Sequence, residues 1–121
     1  MEVKRYRIDF GYEGTAFSGS QRQPGLRTVQ GVLEEALAQL AGEPVRATLA
    51  GRTDAGVHAV GQVASCDLPW RHGESTLARA LRAWLPEDVV VFRTTVAAPN
   101  FHARRWAVDR EYRYRIWLGR R

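Results

Sequence analysis

Cysteine is almost missing from this sequence: Cys66 is its only one. A single thiol can close no internal disulfide and cannot supply a CxxC metal or redox site. Read alone, Cys66 is a small apolar residue in a strand. Lysine is equally scarce, with Lys4 its only example. Long hydrophobic runs are lacking, since none exceeds the four residues Val89 to Phe92, and a helix built from such runs cannot span a bilayer. Met1 to Phe10 alternates charged and apolar residues where a secretory signal would be continuously apolar, so a cytoplasmic location and no membrane partner are expected. Internal repeats, low-complexity tracts and interdomain linkers are lacking too. The 121 residues suffice for one domain with one modest core.

What is present is arginine. Seventeen of the eighteen lysine-plus-arginine cations are arginines, and the net charge is +5. A guanidinium grips phosphate with a planar fork and stacks on bases. An anionic partner, nucleic acid foremost, would account for this composition. A genomic or growth-temperature bias toward arginine would account for it equally.

Hydrophobic spacing predicts the elements. Residues 4 to 12 alternate, with Tyr6, Ile8, Phe10 and Tyr12 on one face and Arg5, Arg7 and Asp9 on the other, as in a half-buried strand. Glu13 to Arg27 is polar, aperiodic and glycine-rich, too long to be a mere connection. Residues 29 to 41 carry a helical stripe of Val29, Val32, Leu33, Ala36, Leu37 and Leu40, with Thr28 as N-cap, Gly42 as terminator and Pro44 barring resumption. Further strands are predicted over Val45–Leu49, Val60–Leu68 and Val89–Val96, the last of them buried, and a second helix from Ser75 or Thr76 to Trp84. Asn100 to Ala107 reads as a compact segment. Glu111 to Leu118 reads as a last strand, Tyr112, Tyr114, Ile116 and Leu118 alternating with Arg113, Arg115 and Trp117. The order predicts an α+β fold, a ferredoxin-like split βαβ in which two helices cover one face of an antiparallel sheet and the other face stays open.

Between the second and third strands lies Gly51-Arg52-Thr53-Asp54-Ala55-Gly56-Val57-His58-Ala59. Two glycines permit a tight turn, and Asp54 stands at its centre, where a carboxylate is presented rather than buried. Arg52 is close enough to favour the ionised form. Such a carboxylate can be a nucleophile, a general base or a metal ligand. It can equally be an ordinary turn aspartate bonding its own backbone. A metal site is disfavoured: the loop holds no second acid, and His58, His72 and His102 are scattered singly.

Gly51 to His58 resembles the signature of the tRNA pseudouridine synthase A family. Tyr12-Glu13-Gly14-Thr15 with Gln21-Arg22-Gln23 resembles the family's first loop, and Thr28-Val29-Gln30 the start of its first helix. Phe101-His102-Ala103-Arg104 and Arg110-Glu111-Tyr112-Arg113-Tyr114 resemble its two later motifs. The five blocks, from Tyr12 to Tyr114, keep the family's order within a resemblance that spans residues 6 to 116. One departure is Ser20, where members usually carry an aromatic residue, typically tryptophan. Members are also longer, so the resemblance makes residues 1–121 an N-terminal catalytic domain and implies a second α+β domain beyond it.

The resemblance implies conversion of uridine to pseudouridine in the anticodon arm of tRNA, with no cofactor and no metal, by a homodimeric enzyme. It makes Asp54 the nucleophile and Tyr112 the residue that stacks on the target base. Arg52 and Arg104 become candidates for stabilising Asp54 and gripping substrate phosphate. Arg5, Arg7, Arg22, Arg113 and Arg115 become candidates for tracking the RNA backbone. Two other readings fit the residues: a non-catalytic RNA-binding α+β module, and a hydrolase that would need a second carboxylate or a metal.

Overall fold

The computed structural model describes the backbone of residues 2–117 and the side chains of residues 2–111. Within them run β1 (Val3–Tyr12), α1 (Val29–Ala41), β2 (Ala47–Leu49), β3 (Ala59–Pro69), α2 (Glu74–Trp84), β4 (Val89–Val96) and α3 (Ala103–Trp117). The sheet order is β2-β3-β1-β4, and every neighbouring pair is antiparallel. This is the predicted split βαβ arrangement, with β1 at the centre.

The alternation along β1 sorts its side chains as a pleated strand must. Tyr6, Ile8, Phe10 and Tyr12 are buried in the main core with Leu33 and Leu37 of α1 and Leu77 and Leu81 of α2. Arg5, Arg7 and Asp9 occupy the opposite face at intermediate exposure. β1 slips register twice near its end, against β4 between Asp9 and Phe10 and against β3 between Phe10 and Tyr12. Such irregularities bend a strand and re-aim its side chains. Gly11 sits inside this bend, where a Cβ would lie 2.9 Å from the Ala59 carbonyl oxygen and 3.3 Å from the Phe92 ring.

α1 forms with the expected caps. Thr28 accepts a bond from the Gly31 N–H at 3.2 Å, and Gly42 ends the helix at φ +73° with its N–H on the Ala38 carbonyl. The polar segment before it is ordered by its own bonds. Ser18 N–H reaches the Arg27 carbonyl at 2.7 Å, and Gln23-Pro24-Gly25-Leu26 is a turn closed at 3.2 Å with Gly25 at φ +74°. Proline then glycine at the two central positions is what such a turn requires.

One predicted element differs. Residues 111–117, read as a strand, belong to helix α3; Leu118 lies outside the described residues. No described strand pairs with this segment, and an unpaired strand leaves its backbone groups unsatisfied, whereas a helix bonds them internally. His102 starts the helix, its Nδ1 accepting the Arg105 N–H at 3.2 Å. The arginines, alanines and glutamate over residues 103–111 are good helix formers. The expectation of a wholly open sheet face is corrected as well: buried Ala103, with Phe101, Trp106 and Ala107, packs over Ala50 and Val63 as a second small core. The helix start is tied down by a bond from Ala103 N–H to Ser65 Oγ at 3.1 Å.

Candidate active site

The loop from Ala50 to His58 joins β2 to β3 and is held from three sides. At its base, the side-chain amide of buried Gln62 brackets Gly51, accepting the Gly51 N–H at 3.2 Å and donating to the Gly51 carbonyl at 3.1 Å. At its middle, Thr53 N–H donates to Ser20 Oγ at 2.8 Å, Ser20 N–H donates to the Thr53 carbonyl at 3.0 Å, and Thr53 Oγ1 lies 2.7 Å from Tyr12 Oη. At its end, Gly56 N–H reaches the Phe17 carbonyl at 3.3 Å, and Gly14 N–H donates to His58 Nδ1 at 2.7 Å. His58 stands 3.6 Å from Glu13, whose carboxylate is held below the usual range by hydrogen bonds from Thr15.

Asp54 begins the turn at the apex. The turn closes from Val57 N–H to the Asp54 carbonyl at 3.1 Å, with Gly56 at φ +81°, a conformation that favours glycine. The Asp54 side chain is exposed, and its carboxylate has no hydrogen-bond or ion-pair partner among the described residues. The turn-aspartate alternative, in which that carboxylate bonds its own backbone, is therefore not what the structure shows. A group so placed is available to a ligand.

Two depressions flank the loop. One of about 230 Å³ is lined by Ser20, Gln21, Gln30, Arg52, His102 and Arg104. The other, about 530 Å³, lies between Arg52, Thr53 and Gln62 on one side and Trp106 and Arg110 of α3 on the other. Arg52 borders both. Neither Arg52 nor Arg104 pairs with a carboxylate among the described residues, Asp54 included; Arg104 Nη1 only approaches the Ala50 carbonyl at 3.5 Å. No group of three or more His, Cys, Asp or Glu residues among those described is placed to hold a metal ion.

A tRNA pseudouridine synthase family model matches residues 10–104. The chain belongs to the tRNA pseudouridine synthase family. Relatives named tRNA pseudouridine synthase A include one from Roseiflexus sp., 58% identical over 118 residues covering 98% of this chain and 44% of the relative. Another, from Solidesulfovibrio magneticus, is 51% identical over 117 residues covering 95% and 43%. A third, from Geobacillus kaustophilus, is 48% identical over 118 residues covering 97% and 46%. The chain thus spans less than half the length of these curated relatives.

The span matched to the synthase family contains Asp54, Arg52 and Arg104, which the fold brings to one end of the sheet. Of the other predicted arginines whose side chains are described, Arg22 lies within that span and Arg5 and Arg7 precede it, and all three are engaged elsewhere. Arg5 pairs with Asp67 at 2.5 Å and also donates to the Phe101 carbonyl. Arg7 pairs with Asp9 at 3.1 Å and stacks 4.5 Å from the Trp106 ring centre. Arg22 pairs with buried Glu34, which also accepts the Ala47 N–H at 2.8 Å. The side chains of Tyr112, Arg113 and Arg115 lie outside the described residues. Sequence reasoning did not single out Tyr12, Ser20, Thr53 or Gln62 as site residues. Gln62 carried a signal nonetheless, as a polar residue among the apolar positions of a buried strand.

Proposed function

We propose that this chain supplies the reacting carboxylate of an enzyme that isomerises uridine to pseudouridine in the anticodon arm of tRNA. The observation that carries the reading is the Asp54 carboxylate: exposed, without a partner among the described residues, and held on a braced loop beside a depression that Arg52 and Arg104 both line. A carboxylate with no partner among the described residues, two positions from Arg52, which likewise has no acid partner among them, is free to meet an electron-poor carbon on an anionic polymer.

In the reaction, the bond from ribose C1′ to uracil N1 breaks and a bond from C1′ to C5 forms. The C5 proton is lost and N1 gains one, so substrate and product are isomers. Asp54 serves as nucleophile, at ribose C1′ or at uracil C6; both routes need the ionised acid. The target base must leave the helical stack to reach it, at a cost of a few kcal/mol that loop nucleotides lessen. Arg52 and Arg104 meet that cost by gripping flanking phosphates. Tyr112 is the proposed stacking partner of the extruded uracil, and the working enzyme is proposed to be a cytoplasmic homodimer.

The test is tritium release from tRNA labelled at uracil C5, using the intact protein. Asp54→Asn is expected to reduce release by on the order of 10³-fold or more while tRNA binding persists, as loss of a covalent nucleophile does elsewhere. Turnover close to wild type in that variant would remove Asp54 from the chemistry. No release by the wild-type protein, with tRNA binding intact, would leave an RNA-binding module in its place.

A further inference from the structure

With no described residue on its carboxylate, Asp54 is positioned through its backbone, which is held most closely one residue earlier. Every polar group of Thr53 is occupied. Its N–H and carbonyl are held by Ser20 Oγ and Ser20 N–H at 2.8 and 3.0 Å, and its hydroxyl by Tyr12 Oη at 2.7 Å. The holders are themselves fixed. Ser20 is 1% exposed, and its carbonyl accepts the Gln30 N–H of α1 at 2.9 Å. Gly19, at φ +88°, lies so close to the loop that a Cβ there would be 3.1 Å from the Thr53 carbonyl oxygen. Tyr12 is 5% exposed at the bent end of β1, and its hydroxyl also meets Gln62 Nε2 at 3.5 Å.

We infer that Ser20 and Tyr12 are positioning residues for Asp54, acting through a clamp on Thr53. This inference rests on the reading of Asp54 as the reacting carboxylate. The physical ground is that a displacement of about 1 Å at a reacting atom can cost roughly 100-fold in rate. A residue held at its N–H, its carbonyl and its hydroxyl has both flanking peptide units restrained, so it has little freedom to tilt or rotate. The clamp also joins two parts of the fold at one residue: the start of α1 through Ser20, and the centre of the sheet through Tyr12. Tyr12 lines neither depression and Ser20, though at the wall of the smaller one, is only 1% exposed, so in this scheme each should influence turnover and leave RNA affinity alone.

The test measures single-turnover rate and tRNA affinity in the intact protein for Tyr12→Phe, Thr53→Val, their double variant, Ser20→Ala and Asp54→Asn. Tyr12→Phe and Thr53→Val each delete one side of the same hydrogen bond. Each is expected to slow turnover roughly 10- to 100-fold with tRNA affinity within about twofold of wild type. The double variant should be no slower than the slower single one, because both remove one interaction. Thr53→Ser, which keeps the hydroxyl, should restore most of the rate lost in Thr53→Val. Should Tyr12→Phe or Ser20→Ala fail to fold by circular dichroism, the contrast of Thr53→Val with Thr53→Ser decides the matter. Wild-type rates in Tyr12→Phe and Thr53→Val, or weakened affinity at unchanged rate, would overturn the clamp while Asp54→Asn stays inactive. An active Asp54→Asn would overturn the reading beneath it.

Discussion

At Gly14 one methyl group is enough to disturb the candidate site. A Cβ there would overlap the Val57 carbonyl, so the turn after β1 and the loop carrying Asp54 touch backbone to backbone. Gly14→Ala must push the two apart, and destabilisation of about 2–3 kcal/mol is expected from urea unfolding. Gly25→Ala is the control. Nothing lies within 4 Å of its Cβ direction, and only its φ of +74° opposes the change, for about 1–2 kcal/mol. Equal costs at the two positions would contradict the close approach at Gly14. Cys66 makes a second prediction at this scale. Burial pushes its thiol up to about 12, so at pH 8 the native protein holds roughly one thiolate in ten thousand. Native protein should resist iodoacetamide that alkylates it readily in urea. The raised native value also means that the stability it supports is complete below the ordinary thiol range, near pH 9, and declines as pH rises from there toward 12. Some of this was legible in the sequence: Cys66 reads as apolar and Asp54 as presented on a turn. The clamp was not, because Ser20 and Thr53 lie 33 positions apart and no spacing rule joins residues that only the folded loops bring together.

Among the elements, the segment between β1 and α1 shows how a polar stretch can be rigid. Arg27 stacks 4.2 Å from the Phe17 ring centre and makes two bonds of 2.9 and 3.0 Å to Asp88, in the turn before β4. Glu13 N–H reaches the Asp88 carbonyl at 2.9 Å, so both ends of the segment meet at one acid. The Arg27 guanidinium holds the Asp88 carboxyl below its ordinary range. A depressed native value contributes stability above the unfolded-state value, about 3.9, and that contribution is lost as pH falls through the native one. Asp88→Asn should therefore cost stability at pH 7, less than about 1 kcal/mol because the pair is partly exposed. The gap to wild type should shrink as the pH drops below 4; a gap unchanged at pH 2 would show that the ion pair is not its source. Elements with a single dominant period, β1, α1 and α2, were readable from sequence since burial follows the period; β4, read as a buried strand from its apolar run, instead leaves Val90, Phe92 and Val96 exposed because only one face of this edge strand is covered. α3 was not. Tyr112, Tyr114 and Ile116 alternate as strand residues do, yet a strand exists only with a neighbour to bond, and neighbours are a property of the sheet rather than of the segment.

Across the whole molecule the question is where the surplus of arginine acts. A net charge of +5 would give a diffuse attraction for RNA if the cations were interchangeable, and the structure shows that they are not. Arg5, Arg7, Arg22 and Arg27 are matched to Asp67, Asp9, Glu34 and Asp88, and all but the Arg7–Asp9 pair, which lies within β1, join one segment to another. Arg52 and Arg104 have no carboxylate partner among the described residues and border the depression beside the Asp54 loop. A cation already matched to an acid has little counterion to exchange when a phosphate arrives, whereas an unmatched one exchanges it fully. If tRNA is the substrate, the logarithm of its affinity should fall linearly with the logarithm of salt concentration. Arg52→Ala and Arg104→Ala should each reduce the magnitude of that slope by about 0.7–0.9. Arg5→Gln and Arg22→Gln should leave the slope within error and lower the melting temperature instead, most clearly for Arg22→Gln, which strands buried Glu34 without its partner. Filter binding over a salt series, read beside thermal melts of the same four variants, separates the two groups. Equal slope changes in all four would mean that the internal pairs open on RNA and that the charge acts as one undivided field.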